Sequence, residues 1–228
     1  MAKNRTYLIL AAVVIFVLLV SSIVFFHYHA YLLLSLVIIA LIMIPFLFRF
    51  EIRNIRTREM VFLAMLAAIA AIGRVPFAGL PSVQPTSFVI IMTGIVFGAE
   101  SGFLVGAVAA IVSNIFLGQG PWTPWQMFSW GLMGMSAGLL RNTILLTKVW
   151  GQCVFGFIWG YLFGWIMNLW IVFSNLANFT WEFLIGVYIS SVYHDLAHGL
   201  SNVFFLLVFS ASWLKIMDRF KKKYGLLE

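Results

Sequence analysis

Met60 to Ser87, MVFLAMLAAIAAIGRVPFAGLPSVQPTS, changes character at Gly73. Before it, Ala64, Ala67, Ala68 and Ala71 fall at i, i+3, i+4 and i+7 on a segment otherwise rich in Leu, Ile, Val and Met. That spacing predicts one helix carrying a stripe of small side chains. In lipid, where no hydrophobic force drives two helices together, such a stripe lets a second backbone approach closely. After Gly73 the chain reads Arg74-Val75-Pro76, and Pro76, Gly79, Pro81 and Pro85 predict a rigid loop. A packing helix thus runs into a polar-tipped, non-helical segment at one membrane face.

The composition settles the solvent. Of 228 residues, 63% are hydrophobic and 9% are charged, against about 25% charged in soluble domains; the mean hydropathy is +1.05. These values specify an all-α integral membrane protein. The single cysteine, Cys153, excludes an internal disulfide and a cysteine metal cluster. The N-terminal apolar run continues to about Phe26 without an A-x-A cleavage site, so it reads as a retained helix. Apolar segments at about 6–26, 30–48, 57–73, 85–98, 101–117, 124–140, 151–173 and 182–212 give about eight transmembrane helices.

Basic residues orient these spans. With the amino terminus in the cytoplasm, Lys3 and Arg5, Arg49 to Arg58, Arg141 and Lys148, and the tail from Lys215 to Lys223 all fall inside. Both termini are then cytoplasmic, and the net charge of +7 needs no nucleic acid. Arg74 alone among the 14 basic residues lies outside. Two readings of it remain: an arginine snorkelling to headgroups, or a ligand contact.

The other external segments carry aromatic and amide groups. Leu117 to Trp130, LGQGPWTPWQMFSW, holds three tryptophans, and Trp165 to Glu182 adds Asn168, Trp170, Asn175, Asn178 and Trp181. Each tryptophan could be an interfacial anchor. Their concentration in the outer half also fits a cup for an amphipathic, ring-bearing solute. On the last span, Trp181, Tyr188, Ser191, Asp195, His198 and Asn202 share one helix face. An aspartate at that depth costs about 3 kcal/mol on insertion scales and must face protein or water. His194 or His198 could partner it, in a structural network or at a ligand site. Gly156, Gly160 and Gly164, and Gly102 with Gly106, mark close helix packing.

No G-x-x-x-x-G-K-[ST] occurs, so the chain carries no P-loop. Nor is there an inverted repeat or a relay of membrane carboxylates. A transport role would draw its energy from another protein. Gly134-Met135-Ser136-Ala137-Gly138 fits G-x-S-x-G, but a membrane helix cannot form the strand-to-helix elbow that hydrolases use. A rhomboid-like intramembrane protease would instead pair Ser136 with His194 or His198. Rhomboids place glycine directly after the serine, where this chain has Ala137.

From about Arg56 to the carboxyl end, the chain resembles the substrate-binding S-components of energy-coupling factor (ECF) vitamin transporters. The resemblance rests on AMLAAIAAIGR, PFAGLPSVQPTSF, GIVFGAESGFLVGAVAAIVSN, and GQGPWTPWQM ahead of GLMGMSAGLL. It implies a six-helix substrate-binding core over 56–228, preceded by two extra helices and a basic linker over 1–55. It implies a non-enzyme: the vitamin-binding subunit of an ABC-type importer in the cell membrane, working with a transmembrane coupling protein and two cytoplasmic ATPases. Ala64, Ala67, Ala68 and Ala71 become the docking face. Arg74, Gln84, Asn114, Gln119, Trp122, Trp125, Gln126, Asn168, Trp181, Tyr188, His194, Asp195 and His198 become the candidate vitamin contacts. The pattern is most similar to the cobalamin-specific S-components, with no cofactor of its own and cobalamin as the transported ligand. His27 and His29 are candidates for its cobalt only in principle, and riboflavin, thiamine or a modified nucleobase remain alternatives.

Overall fold

The computed structural model describes residues 2–25, 41, 57–175 and 178–225. The expected second span, 30–48, lies outside the described residues apart from Leu41, as do His27, His29, Arg49, Arg53 and Arg56. Every other expected span has its helix. In chain order these are α1 (Ala2–Phe25), α2 (Thr57–Ile72), α3 (Thr86–Phe97), α4 (Ala99–Leu117), α5 (Thr123–Leu140), the single turn α6 (Ile144–Thr147), α7 (Val149–Ser174) and α8 (Trp181–Tyr224). A 3₁₀ turn, Val75–Phe77, follows α2. Among the described residues, four helical segments are long and apolar enough to cross a membrane: Thr57–Phe77, Ala99–Leu117, Val149–Ser174 and Trp181–Tyr224. The chain is a multi-pass membrane protein.

Glycines join the helices into two units. In the first, α3 and α4 turn back on each other at Gly98, whose φ of 95° lies in the region L side chains rarely adopt. Both helices then pack on α5. A Cβ at Gly94 or Gly102 would overlap the Gly134 carbonyl, one at Gly106 the Trp130 carbonyl, and one at Gly138 the backbone of Ala99. In the second unit α7 lies antiparallel to α8. Gly156 meets Asn202 and Leu206, Gly160 meets Gly199, and Gly164 meets the Asp195 carboxylate. The G-x-S-x-G pattern of α5 is therefore a packing surface, and the Ser136 hydroxyl donates to Met133 O at 3.0 Å within its own helix.

Helix α3 has 12 residues, about 18 Å long, and all but Ile95 are buried. It is a core element that stops short of the bilayer thickness, and the loop from Gly73 to Pro85 leads into it. Helix α1 buries Leu8, Ala12, Ile15 and Leu19, a stripe at helical spacing. Its Phe16 packs edge-on against Trp125, centroids 6.2 Å apart.

Two expectations need correction. The alanine stripe is split: Ala67 and Ala71 are buried, whereas Ala64 is exposed and Ala68 half-buried. Stripe positions three residues apart are offset by about 60° around the helix, so one edge packs on α3 and α4 while the other faces out. The last helix continues beyond the expected span of 182–212. It runs 44 residues, about 66 Å, through the basic tail to Gly225 in the left-handed conformation. No proline interrupts it, and Lys221, Lys222 and Lys223 in its last turn complement the helix dipole.

The glycine contacts predict opposite outcomes at two positions on the α7–α8 pair. Gly160→Leu should force the backbones apart and lower thermal stability in detergent by about 1–3 kcal/mol or more. Gly186 faces open space, where a Cβ would meet nothing within 4 Å beyond its own helix backbone and chain neighbours. Gly186→Ala should be tolerated there, with a gain of up to about 1 kcal/mol.

Candidate functional site

The two units diverge at one end of the bundle and leave a cavity of about 880 Å³ between them. Arg58 and the Phe220–Tyr224 end of α8 lie at the opposite end, where Phe62 contacts both Phe97 and Phe220. One wall is Arg74 with the loop through Gln84; a second is the α4–α5 junction at Leu117, Trp122 and Gln126. The third is the α7–α8 pair, from Phe163 to Ile171 and from Val187 to His198.

Arg74 is held by a polar network that ends α4 and begins α5. Its Nη1 donates to Ser113 Oγ at 2.9 Å and to Asn114 Oδ1 at 2.6 Å. Asn114 Nδ2 donates in turn to Thr123 Oγ1 at 3.1 Å and to Gln126 Oε1 at 2.7 Å. With the Gln126 amide turned over, its oxygen accepts from Arg74 Nη1 at 3.2 Å and Nη2 at 3.0 Å instead. The guanidinium also lies 5.2 Å from the Trp130 ring centroid. Every partner is neutral.

The facing wall carries one carboxylate, Asp195, with His194 and His198. Asp195 is 3% exposed, and its Oδ2 accepts from Ser191 Oγ at 2.9 Å. Ser191 Oγ in turn accepts from Asn168 Nδ2 at 2.7 Å. One helical turn on, His198 Nε2 and Ser87 Oγ are 2.7 Å apart, and the imidazole meets Phe163 edge-on at 5.0 Å. Phe163 also stacks against Trp130 at 5.2 Å, so these rings tie the α7 wall to the α5 wall. The loop is pinned to α8 where Gln84 N donates to Ser201 Oγ at 3.0 Å.

The candidate contacts therefore separate. Arg74, Gln84, Trp122, Gln126, Asn168, His194, Asp195 and His198 line the cavity. Asn114 stands behind Arg74 and orients it. Gln119 builds the loop, donating to Ile111 O at 2.9 Å and accepting from Thr123 Oγ1 at 2.9 Å. Trp125 is away from the cavity, 1% exposed in the core between Phe16 and Phe173. Trp181 is 70% exposed beside Phe179, and Tyr188 donates to Trp165 O at 3.3 Å on the outer side of the α7–α8 pair. Sequence reasoning passed over Ser87, Ser113, Phe163 and, as a site residue, Ser191. The helical register of Ser191 with Asp195 was a usable signal; single serines and a phenylalanine in apolar helices carry none.

The family model described as "ECF transporter, substrate-specific component" matches residues 58–218. The chain belongs to this family. All cavity walls of the S-component lie inside the matched region and α1 lies outside it. Relatives include UPF0397 proteins of Aliivibrio salmonicida, 33% identical over 100 residues (42% of this chain, 52% of that one), and of Vibrio atlanticus, 34% identical over 91 residues (38% and 50%). A third, from Vibrio vulnificus, is 33% identical over 94 residues (39% and 51%). The chain spans about half the length of these curated relatives. No solved structure is a significant match.

The different settings of two S-component tryptophans give a test. Trp125→Ala should cost about 3–5 kcal/mol of stability by emptying a core site. Trp122→Ala, at a 39% exposed position on the cavity rim, should leave thermal unfolding within about 1 kcal/mol of wild type.

Proposed function

We propose that this S-component captures a small water-soluble vitamin in the cavity between Arg74 and Asp195. A transmembrane coupling protein with two ATPases then drives its release to the cytoplasm. The observation that carries this reading is the position of the cavity. It opens at the end of the bundle opposite Arg58 and the basic end of α8, which the distribution of lysine and arginine assigns to the cytoplasm. An outward-open cavity whose largely apolar walls carry Arg74, Asn168 and Asp195 suits capture from outside.

Size bears on which vitamin. Pockets that bury most of a drug-sized ligand occupy about 300–1,000 Å³, so 880 Å³ accommodates a vitamin with one or a few fused rings. Riboflavin, thiamine and a modified nucleobase fall in this class. Cobalamin, favoured by the sequence resemblance, would seat part of itself here and leave the remainder of its corrin periphery over the rim. The test is a binding assay on the purified chain in detergent with each vitamin. Saturable binding of one of them, lost in Asn168→Leu or Arg74→Ala, supports the proposal; binding unaffected by both variants contradicts it.

The split stripe supports a docking surface on the outward edge of α2. Ala64 and Ala68, with Met65 and Ile69, form the outward face of α2. A small-residue face permits close helix approach, and an indole there would hold a coupling helix away. Ala64→Trp should therefore abolish uptake in cells carrying the partner proteins while leaving vitamin affinity of the purified chain near wild type. Ala67→Trp, at a buried position, should instead lower folded yield and binding together. Full uptake by Ala64→Trp would remove this face from the account.

A further inference from the structure

We infer that the solute is zwitterionic, with an anionic group seated at Arg74 and a cationic group at Asp195. This rests on the cavity being the ligand site, as proposed above, and adds the charge pattern. Arg74 and Asp195 line the same cavity on different walls. Among the described residues, Arg74 is bound by Ser113 and Asn114, with Gln126 and the Trp130 ring beside it, and no carboxylate pairs with it. Asp195 is bound by Ser191, and among the described residues no lysine or arginine pairs with it. The two charges do not pair with each other.

A charge removed from bulk water without a counter-charge is costly, and that cost is normally relieved by an ion pair with further hydrogen bonds. Here the supporting hydrogen bonds are built, and among the described residues no carboxylate pairs with Arg74 and no lysine or arginine with Asp195, whose charged neighbour is the titratable His194. Ser113 and Asn114 fix the guanidinium, whose planar fork suits a carboxylate or phosphate. Ser191, itself held by Asn168, fixes Oδ2 of Asp195; Oδ1 lies against Gly164, with no hydrogen-bond donor assigned to it among the described residues, and an ammonium or a heteroaromatic cation would supply one. Gly164 brings α7 against this carboxylate with no side chain in between, so Asp195 is placed by backbone packing. His194 and His198 share its wall. His198 is engaged with Ser87, which leaves Asp195 as the anionic group facing the solute.

The test is thermal unfolding of the purified full chain in detergent with four probes that vary charge on two scaffolds. Thiamine is cationic, thiamine monophosphate carries both charges, riboflavin is neutral and riboflavin 5′-phosphate is anionic. Thiamine monophosphate should stabilise the protein at concentrations where riboflavin does not. Arg74→Gln should weaken its apparent affinity on the order of tenfold or more and that of thiamine by clearly less, and Asp195→Asn should weaken both thiamine compounds alike. Without any probe, Asp195→Asn should raise the unfolding temperature, because it removes an uncompensated charge and keeps an oxygen for Ser191. No response to thiamine monophosphate, an equal response to riboflavin, or a lower unfolding temperature in probe-free Asp195→Asn overturns the inference. Ser190→Trp, which fills the cavity without replacing either charge, separates the two levels. A probe response that it leaves intact places binding elsewhere and removes the cavity reading as well. A riboflavin response that it abolishes keeps the cavity and removes the zwitterion.

Discussion

Backbone-to-backbone contact at glycine is the constraint on which the structure depends. In a bilayer the apolar side chains of a helix gain nothing by leaving lipid for another helix, so association rests on close packing and interhelical hydrogen bonds. Gly94, Gly102, Gly134 and Gly138 bring α3, α4 and α5 into direct contact, and Gly156, Gly160 and Gly164 do the same for α7 and α8. Each group closes tightly on itself. The interface between the groups is looser and is bridged by rings, with Phe163 between Trp130 and His198.

The cavity is a consequence of that arrangement. Two close-packed units touching at one level and separating at another leave space at the open end, and polar groups can occupy that level without facing lipid. The membrane-buried Asp195 packs against Gly164 and accepts a hydrogen bond from Ser191, while the opposite wall holds Arg74 through Ser113 and Asn114. Side chains on helix faces and on a pinned loop, supported from behind, are thereby held in fixed positions around the cavity.

Much of this was legible in the sequence because a membrane makes polar residues expensive. Arg74, Asp195 and His198 stand out in apolar surroundings, and the structure places all three on one cavity. The glycine series announced close packing for the same reason, since only a backbone contact repays repeated glycine in a helix. What could not be read was direction. Trp125 shares its proline-rich segment with Trp122, yet one turn of α5 carries it into the core against α1. The alanine stripe predicted a single face, but which edge packs internally depends on where α3 and α4 lie. The end of α8 was missed because the basic residues that mark a membrane boundary are also good helix formers.

The most direct test of the central claim is an experimental structure of the full chain purified with whatever solute it retains from the cell. Ligand density bridging Arg74 and Asp195, with the α3–α4–α5 and α7–α8 contacts intact, is the predicted result. An ion pair between Arg74 and Asp195 closing the cavity, with ligand density elsewhere, would contradict it.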